Sequence, residues 1–98
     1  MASAELDLDV RDVPERSRFE GDLEGERVAF LDYRRRDDGT LLLTHAEVSP
    51  RVGGRGVGTA FVSAVLDQLA DRGERIVPIC GFVASVLRQR PELASLRP

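Results

Sequence analysis

The sequence has no lysine and no tryptophan, and only one cysteine, one histidine and one tyrosine. Without lysine it cannot contain the Gly-Lys-Ser/Thr phosphate loop, which excludes nucleoside triphosphatases and kinases of that type. A single cysteine excludes an internal disulfide, as in proteins of a reducing compartment. Any chemistry of Cys80 is therefore that of a free thiol.

Basic leader segments and long apolar runs are also missing. The first residues do not resemble a signal peptide, and no apolar run approaches the ~20 residues of a membrane span. The formal net charge is −3 and the pI about 5.1, so the whole molecule offers no basic field for a nucleic acid. We therefore expect a cytoplasmic protein with no nucleic-acid, membrane or metal partner.

The length of 98 residues fits one domain. Residues 1–15 carry many acidic side chains and little periodicity, which predicts a flexible N-terminal arm. The single domain is then expected over residues 16–98. Its fold class is predicted to be α/β, in the mixed α+β sense.

Apolar periodicity and turn residues predict the order of elements within this domain. Antiparallel strands are expected at 17–20, 27–35 and 40–48, with Asp38-Gly39 as a hairpin turn. A helix over 56–72, a short strand over 76–79 and a second helix over 82–90 follow. The short strand is expected to pair parallel to the third strand through a right-handed crossover.

Strict alternation along the third strand would divide its side chains into two sets. One side would carry Leu41, Leu43, His45 and Glu47, and the other Leu42, Thr44, Ala46 and Val48. Apolar residues on both faces of the second strand predict a sheet that is covered on both faces over part of its length.

A glycine-rich loop lies between the third strand and the first helix, in the run EVSPRVGGRGVGTA over 47–60. The first N–H groups of a helix lack intrahelical partners and carry the positive end of its dipole, so they bind anions. Glycines at 53, 54, 56 and 58 let a phosphate approach the backbone. A dinucleotide fingerprint beginning at Gly54 would need glycine where Thr59 stands, so that alternative is disfavoured.

Three motifs in order resemble one family. Arg51-x-x-Gly54-x-Gly56 is similar to the R/Q-x-x-G-x-G/A signature of the GNAT acetyltransferase superfamily. The H-x-E-V run at 45–48 and the P-x-C-x-F-V run at 78–83 resemble the compact, single-domain group of that superfamily. The resemblance spans about residues 19–93 and implies a minimal GNAT-like fold.

The resemblance implies that acetyl-coenzyme A is the cosubstrate and that the loop holds its pyrophosphate. The expected cofactor-binding residues are Val48, Arg51, Gly53, Gly54, Arg55, Gly56, Val57, Gly58 and Thr59. The expected catalytic residues are Cys80, Glu47 and His45. Glu47 is favoured over His45 as the base, and Cys80 would be a general acid or a nucleophile.

Alternatives remain open for these residues. Cys80 could be a small core residue, and His45 with Glu47 could be a hydrogen-bonded pair that only stabilises the sheet. The leading hypothesis is an N-acetyltransferase that acts on an unidentified small-molecule or protein amine, as a monomer or weak homodimer. The alternatives are a non-catalytic module that binds coenzyme A or acyl-coenzyme A, and a small α/β domain without a ligand.

Overall fold

The computed structural model describes residues 7–53 and 55–98. Its sheet consists of strands β1 (Leu8–Val13), β2 (Arg18–Leu23), β3 (Glu26–Arg35), β4 (Leu41–Val48) and β5 (Ile76–Pro78). The two α-helices are α1 (Val57–Asp71) and α2 (Gly81–Arg88). Short 3-10 segments cover Pro14–Arg16, Pro50–Val52 and Pro91–Leu96.

The strands lie across the sheet in chain order. β1 to β4 pair antiparallel, whereas β4 and β5 pair parallel through the connection that contains α1. This arrangement confirms the predicted mixed α/β class, with antiparallel N-terminal strands, a central helix after the loop, a short parallel strand and a second helix. No helix in residues 7–53 and 55–98 is long and apolar enough to cross a membrane.

Strand β1 lies in the segment that was predicted to be a flexible arm. Leu8 and Val10 pack against the core, and an Arg11 guanidinium nitrogen lies 3.2 Å from a carboxylate oxygen of Asp22 on β2. The arm prediction was therefore wrong for residues 8–13, because their apolar side chains reach the core and Arg11 pairs with Asp22 of β2. Residues 1–6, which the same prediction covered, lie outside the described residues.

A β-bulge interrupts β4 at Thr44. Asp32 pairs with His45 and Tyr33 pairs with Leu43, so Thr44 is an extra residue in β4. The extra residue reverses the alternation that follows it. The residues that face the core are Leu41, Leu43, Ala46 and Val48. The predicted grouping of Leu41 and Leu43 with His45 and Glu47 was therefore wrong.

The helices pack on one face of the sheet. α1 and α2 contact each other, and both contact the 3-10 segment at Pro91–Leu96. Fully buried residues of α1 in the shared core are Phe61, Val62, Val65, Leu66 and Leu69. The apolar stripe predicted for this helix is the face that it buries.

The opposite face of the sheet carries paired charges. Glu20 is only 2% exposed, and its carboxylate forms ion pairs with Arg11, Arg16, Arg18 and Arg27. Arg18 also lies 4.0 Å from the centre of the Phe30 ring. Within the described residues, no helix covers this face, so the prediction of a sheet covered on both faces was wrong.

Gly21 marks the closest approach between β2 and α1. A Cβ atom at Gly21 would lie 2.6 Å from Cδ1 of Phe61, whose side chain is fully buried and cannot move aside. We expect Gly21→Ala to lower the free energy of unfolding by about 1–3 kcal/mol because the core is overpacked. Urea denaturation measures the change.

Gly81→Ala is the matched control for this prediction. A Cβ atom at Gly81 meets nothing within 4 Å, and Gly81 is the first residue of α2. Alanine suits a helix better than glycine, so we expect a gain of about 0.5–1 kcal/mol. Equal urea midpoints for the two variants would contradict the close contact at Phe61.

Candidate functional site

The loop after β4 is held by its own backbone. Ser49 precedes the 3-10 segment, and its hydroxyl oxygen accepts a hydrogen bond from the Arg51 N–H at 3.3 Å. The Gly53 N–H donates to the Pro50 carbonyl at 3.1 Å. Gly56 then adopts φ 73°, a left-handed conformation that favours glycine, immediately before α1 begins. The loop therefore turns the chain sharply into the N-terminus of α1.

This N-terminus is suited to an anion. Among the described residues, no side chain caps it and no acidic residue lies in its first turn. The first helical hydrogen bond runs from the Ala60 N–H to the Gly56 carbonyl at 3.1 Å. The N–H groups of residues 57–59 thus precede the regular helical ladder, at the positive end of a 15-residue helix.

The two arginines of the loop have different surroundings. Arg51 forms an ion pair with Glu26, at the start of β3. Arg55 is exposed and forms no ion pair with any residue of the described ranges. Arg55 is therefore the more accessible positive charge for a ligand, whereas Arg51 would have to exchange its partner. Gly54, which the sequence also placed in the site, lies outside the described residues.

Cys80 lies at the N-terminus of α2, beside the bulged part of β4. Its N–H donates a hydrogen bond to the Leu43 carbonyl at 3.0 Å, and its carbonyl accepts one from the Ala84 N–H at 3.0 Å. The side chain is half-buried and packs against the core. The backbone of Cys80 is thus anchored on β4, one residue before the bulge at Thr44.

The pairing between β4 and β5 ends at Leu43, whose carbonyl accepts the hydrogen bond from Cys80. β5 pairs only with Leu41, Leu42 and Leu43, so the rest of β4 has no strand partner on that edge in the described part of the chain. The unpaired edge leads from the bulge towards the loop and α1. A ligand in an extended conformation could pair with this edge in the manner of a strand.

His45 and Glu47 lie on the opposite face of the sheet from the helices. His45 Nε2 is 2.9 Å from a Glu47 carboxylate oxygen, and the two side chains are 55% and 62% exposed. A cavity of about 210 Å³ adjoins Glu47 and is also lined by Arg27, Phe30 and Val48 among others. In the described residues, no hydrogen bond joins the Cys80 side chain to His45 or Glu47.

Comparison with protein families identifies the family of this chain. A sequence model of the GCN5-related N-acetyl-transferase family matches residues 18–96. The chain belongs to the GCN5-related N-acetyltransferase family. The resemblance seen in the three motifs is thereby confirmed at the level of the family.

Solved structures agree with this fold. A GCN5-like protein from Staphylococcus aureus is 24% identical, with a TM-score of 0.66, over 92% of this chain and 87% of that one. The ribosomal-protein-S18-alanine N-acetyltransferase of Escherichia coli is 24% identical, with a TM-score of 0.55, over 74% of this chain. The chain spans 48% of the length of that enzyme. No curated protein sequence matches the chain.

Two features of this family member were not recognised in the sequence. The bulge at Thr44 depends on pairing with β3, which local alternation does not record. Phe82 lies against Gly58, because a Cβ atom on Gly58 would be 3.4 Å from Cζ of the Phe82 ring. Phe82 is part of the P-x-C-x-F-V motif, but no local pattern in the sequence indicates that its ring contacts α1.

Tyr33, the only tyrosine, is held away from the candidate site. Its hydroxyl donates a hydrogen bond to the Asp12 carboxylate at 2.6 Å. Burial, together with the hydrogen bond and the charge of Asp12, raises the pKa of Tyr33 to about 12. This tyrosine thus serves to join β1 and β3.

The raised pKa predicts a loss of stability in alkali. An unfolded tyrosine ionises near pH ~10. The stabilisation from Tyr33 is therefore fully present below that pH and is lost as the pH rises towards about 12. Tyrosinate absorbance reads this residue alone, because the chain has one tyrosine and no tryptophan.

Tyr33→Phe is the control for the alkaline titration. The variant cannot ionise at this position, so we expect its stability to fall less than that of the wild type between pH ~10 and pH 12. A wild-type titration midpoint near 10 in the folded protein would contradict the burial of the hydroxyl beside Asp12.

Proposed function

We propose that this chain is a minimal N-acetyltransferase that transfers the acetyl group of acetyl-coenzyme A to an amine. The observation that carries the proposal is the unpaired edge of β4, which links the uncapped N-terminus of α1 to the anchored Cys80. Membership of the N-acetyltransferase family supports acetyl transfer in general. Use of acetyl-coenzyme A and the roles of individual residues are our inference.

The loop and α1 would bind the pyrophosphate. The backbone N–H groups of residues 57–59 would supply donors, and Arg55 a positive charge beside them. The Gly53 N–H is bonded to the Pro50 carbonyl and would have to exchange this partner. Val57 would contribute only its backbone, because it is 1% exposed. The side chains of Val48 and Phe82 pack closely against α1 at Gly58.

The free edge of β4 would hold the extended arm of the cosubstrate. The end of β4 at Glu47 and Val48 offers backbone groups for strand-like pairing, and the Val48 N–H could polarise the thioester carbonyl. The predicted pairing does not extend to Arg51, because Ser49 donates to the Val28 carbonyl and Pro50–Val52 is a 3-10 segment. Cys80, anchored on the Leu43 carbonyl, lies at the far end of this path from α1. Acetyl-coenzyme A bound here would supply the activated thioester.

The proton transfers are assigned to three side chains. Glu47, or His45 hydrogen-bonded to it, takes a proton from the attacking amine. The Cys80 thiol gives a proton to the departing thiolate, so that free coenzyme A leaves as a thiol. In a second route, the Cys80 sulfur attacks the thioester, and coenzyme A leaves as a thiol with the proton that Cys80 gave up. The amine then attacks the acetyl-Cys80 thioester, and Cys80 leaves as a thiol with the proton taken from the amine.

The acceptor would approach from the polar face of the sheet. Glu47 and Phe30, whose side chains lie on that face, line the cavity of about 210 Å³. An amine in this cavity would reach Glu47 without crossing the helical face. The acceptor remains an unidentified small-molecule or protein amine, and a cytoplasmic location and a monomeric or weakly dimeric state stay predictions.

A non-catalytic coenzyme A-binding module is the second candidate function. It is favoured by one observation, that Cys80 packs on the helical face whereas His45 and Glu47 lie on the other. Such a module would bind acetyl-coenzyme A but would release no free coenzyme A with any amine.

Isothermal titration with acetyl-coenzyme A tests the proposal. We expect micromolar binding, which corresponds to ~8 kcal/mol. A panel of amines, followed by a colorimetric thiol assay for released coenzyme A, then separates the enzyme from the binding module. Absence of binding at several temperatures would exclude both candidate functions.

A further inference from the structure

The Phe82 ring lies between the two ends of the proposed binding path. Phe82 is in the first turn of α2, two residues after Cys80, and its ring reaches the first turn of α1 at Gly58. It is also 41% exposed, so part of the ring is accessible to a ligand. Its position therefore joins the candidate anion site to the candidate thiol.

Gly58 shows how closely the ring approaches β4. A Cβ atom built on Gly58 would lie 3.2 Å from Cγ2 of Val48 and 3.4 Å from Cζ of Phe82. Because both atoms lie near the same point, these two distances limit their separation to about 6.6 Å. The ring and the Val48 side chain thus converge on the glycine.

This separation is too small for a chain of carbon atoms to lie between them. Carbon atoms in contact are ~3.5–4.0 Å apart, so an intervening chain needs about 7–8 Å between its two neighbours. The Val48 side chain and the Phe82 ring therefore leave no room between them at the level of Gly58. An arm that follows β4 from α1 towards Cys80 meets the ring at this point.

We propose that Phe82 is a binding residue for the pantetheine arm of coenzyme A, and that its ring closes the arm's path until the arm displaces it. The inference rests on the proposed function, because it takes the arm to run along β4. The displaced ring then packs against the arm as an apolar wall. Gly58 is the point on α1 that the displaced ring would leave.

Nuclear magnetic resonance of the full chain tests the movement directly. In the ligand-free protein, we expect a nuclear Overhauser effect between the Phe82 ring and the Gly58 α-protons. Acetyl-coenzyme A should abolish this effect, whereas adenosine 3′,5′-bisphosphate, which has no pantetheine arm, should leave it intact. Persistence of the effect with saturating acetyl-coenzyme A would overturn the inference.

Affinity measurements test the contact between the Phe82 ring and the pantetheine arm. We expect Phe82→Ala to weaken acetyl-coenzyme A about tenfold and to change the affinity for adenosine 3′,5′-bisphosphate less than twofold. Ile79→Ala is the matched control, because Ile79 is a large apolar residue that is 57% exposed and also lies close to Cys80 in the chain. Its affinities for both ligands should match those of the wild type.

Each outcome of the titrations has one meaning. Equal weakening of both ligands by Phe82→Ala would show that the ring supports α1, and an unchanged acetyl-coenzyme A affinity would remove it from the path. Phe82→Leu keeps an apolar side chain in the fold and should give an intermediate loss. If the wild type bound the bisphosphate but not acetyl-coenzyme A, the inference would fail, and if it bound neither, the proposed function itself would fail.

Discussion

Replacing Cys80 with alanine is expected to lower the rate of acetyl transfer about 100-fold or more, while the affinity for acetyl-coenzyme A stays within a factor of two. The reason is that the thiol either protonates the leaving thiolate or carries the acetyl group. The phosphates, in contrast, are bound at α1. Steady-state release of coenzyme A and isothermal titration measure the two quantities separately.

The structural cost of this substitution can be separated from its chemical effect. The Cys80 backbone keeps its hydrogen bonds to Leu43 and Ala84 in any variant, because both use main-chain atoms. Urea denaturation of Cys80→Ala should therefore show only a small change. Mass spectrometry of the wild type with acetyl-coenzyme A alone shows whether an acetyl group is added to the protein. Turnover equal to that of the wild type would remove Cys80 from both mechanisms.

A negative charge in the first turn of α1 is expected to have opposite effects on stability and on binding. Thr59 is exposed there, and no acidic residue of the described chain lies in that turn. Thr59→Glu should stabilise the fold by about 0.3–1 kcal/mol through the helix dipole. The same carboxylate should repel the pyrophosphate and weaken acetyl-coenzyme A by about 10–100-fold.

Ser95→Glu provides the control for Thr59→Glu. It introduces the same charge at an exposed position in the C-terminal 3-10 segment, away from the loop. Its acetyl-coenzyme A affinity should equal that of the wild type at moderate salt. If Thr59→Glu also bound normally, the N-terminus of α1 would not be the phosphate anchor.

Much of the fold follows from local patterns. The Asp38-Gly39 turn, the apolar stripe of α1 and the stop before Pro91 depend on residues within one or two turns of each other. The predicted bounds of α1, 56–72, differ by one residue at each end from the observed Val57–Asp71. Such elements are predictable because their main determinants are neighbours in the chain.

The candidate site was only partly predictable from the sequence. The glycine loop and the order of the three motifs identified the family, and the N-terminus of α1 follows that loop as expected. The pairing of Arg51 with Glu26 could not be foreseen, because the two residues are far apart in the chain, at the start of β3 and after the end of β4. The roles of the individual site residues stay predictions until the substitutions above are measured.

By itself, the sequence determined the element order, the glycine-rich entry to α1 and the family to which the chain belongs. Only the tertiary structure decided that residues 8–13 join the sheet, that Thr44 bulges and that His45 and Glu47 face away from the helices. It also decided that the Phe82 ring lies against Gly58 of α1. The physical reason is that strand register and side-chain contacts join residues far apart in the chain, whereas periodicity and turn chemistry act between neighbours.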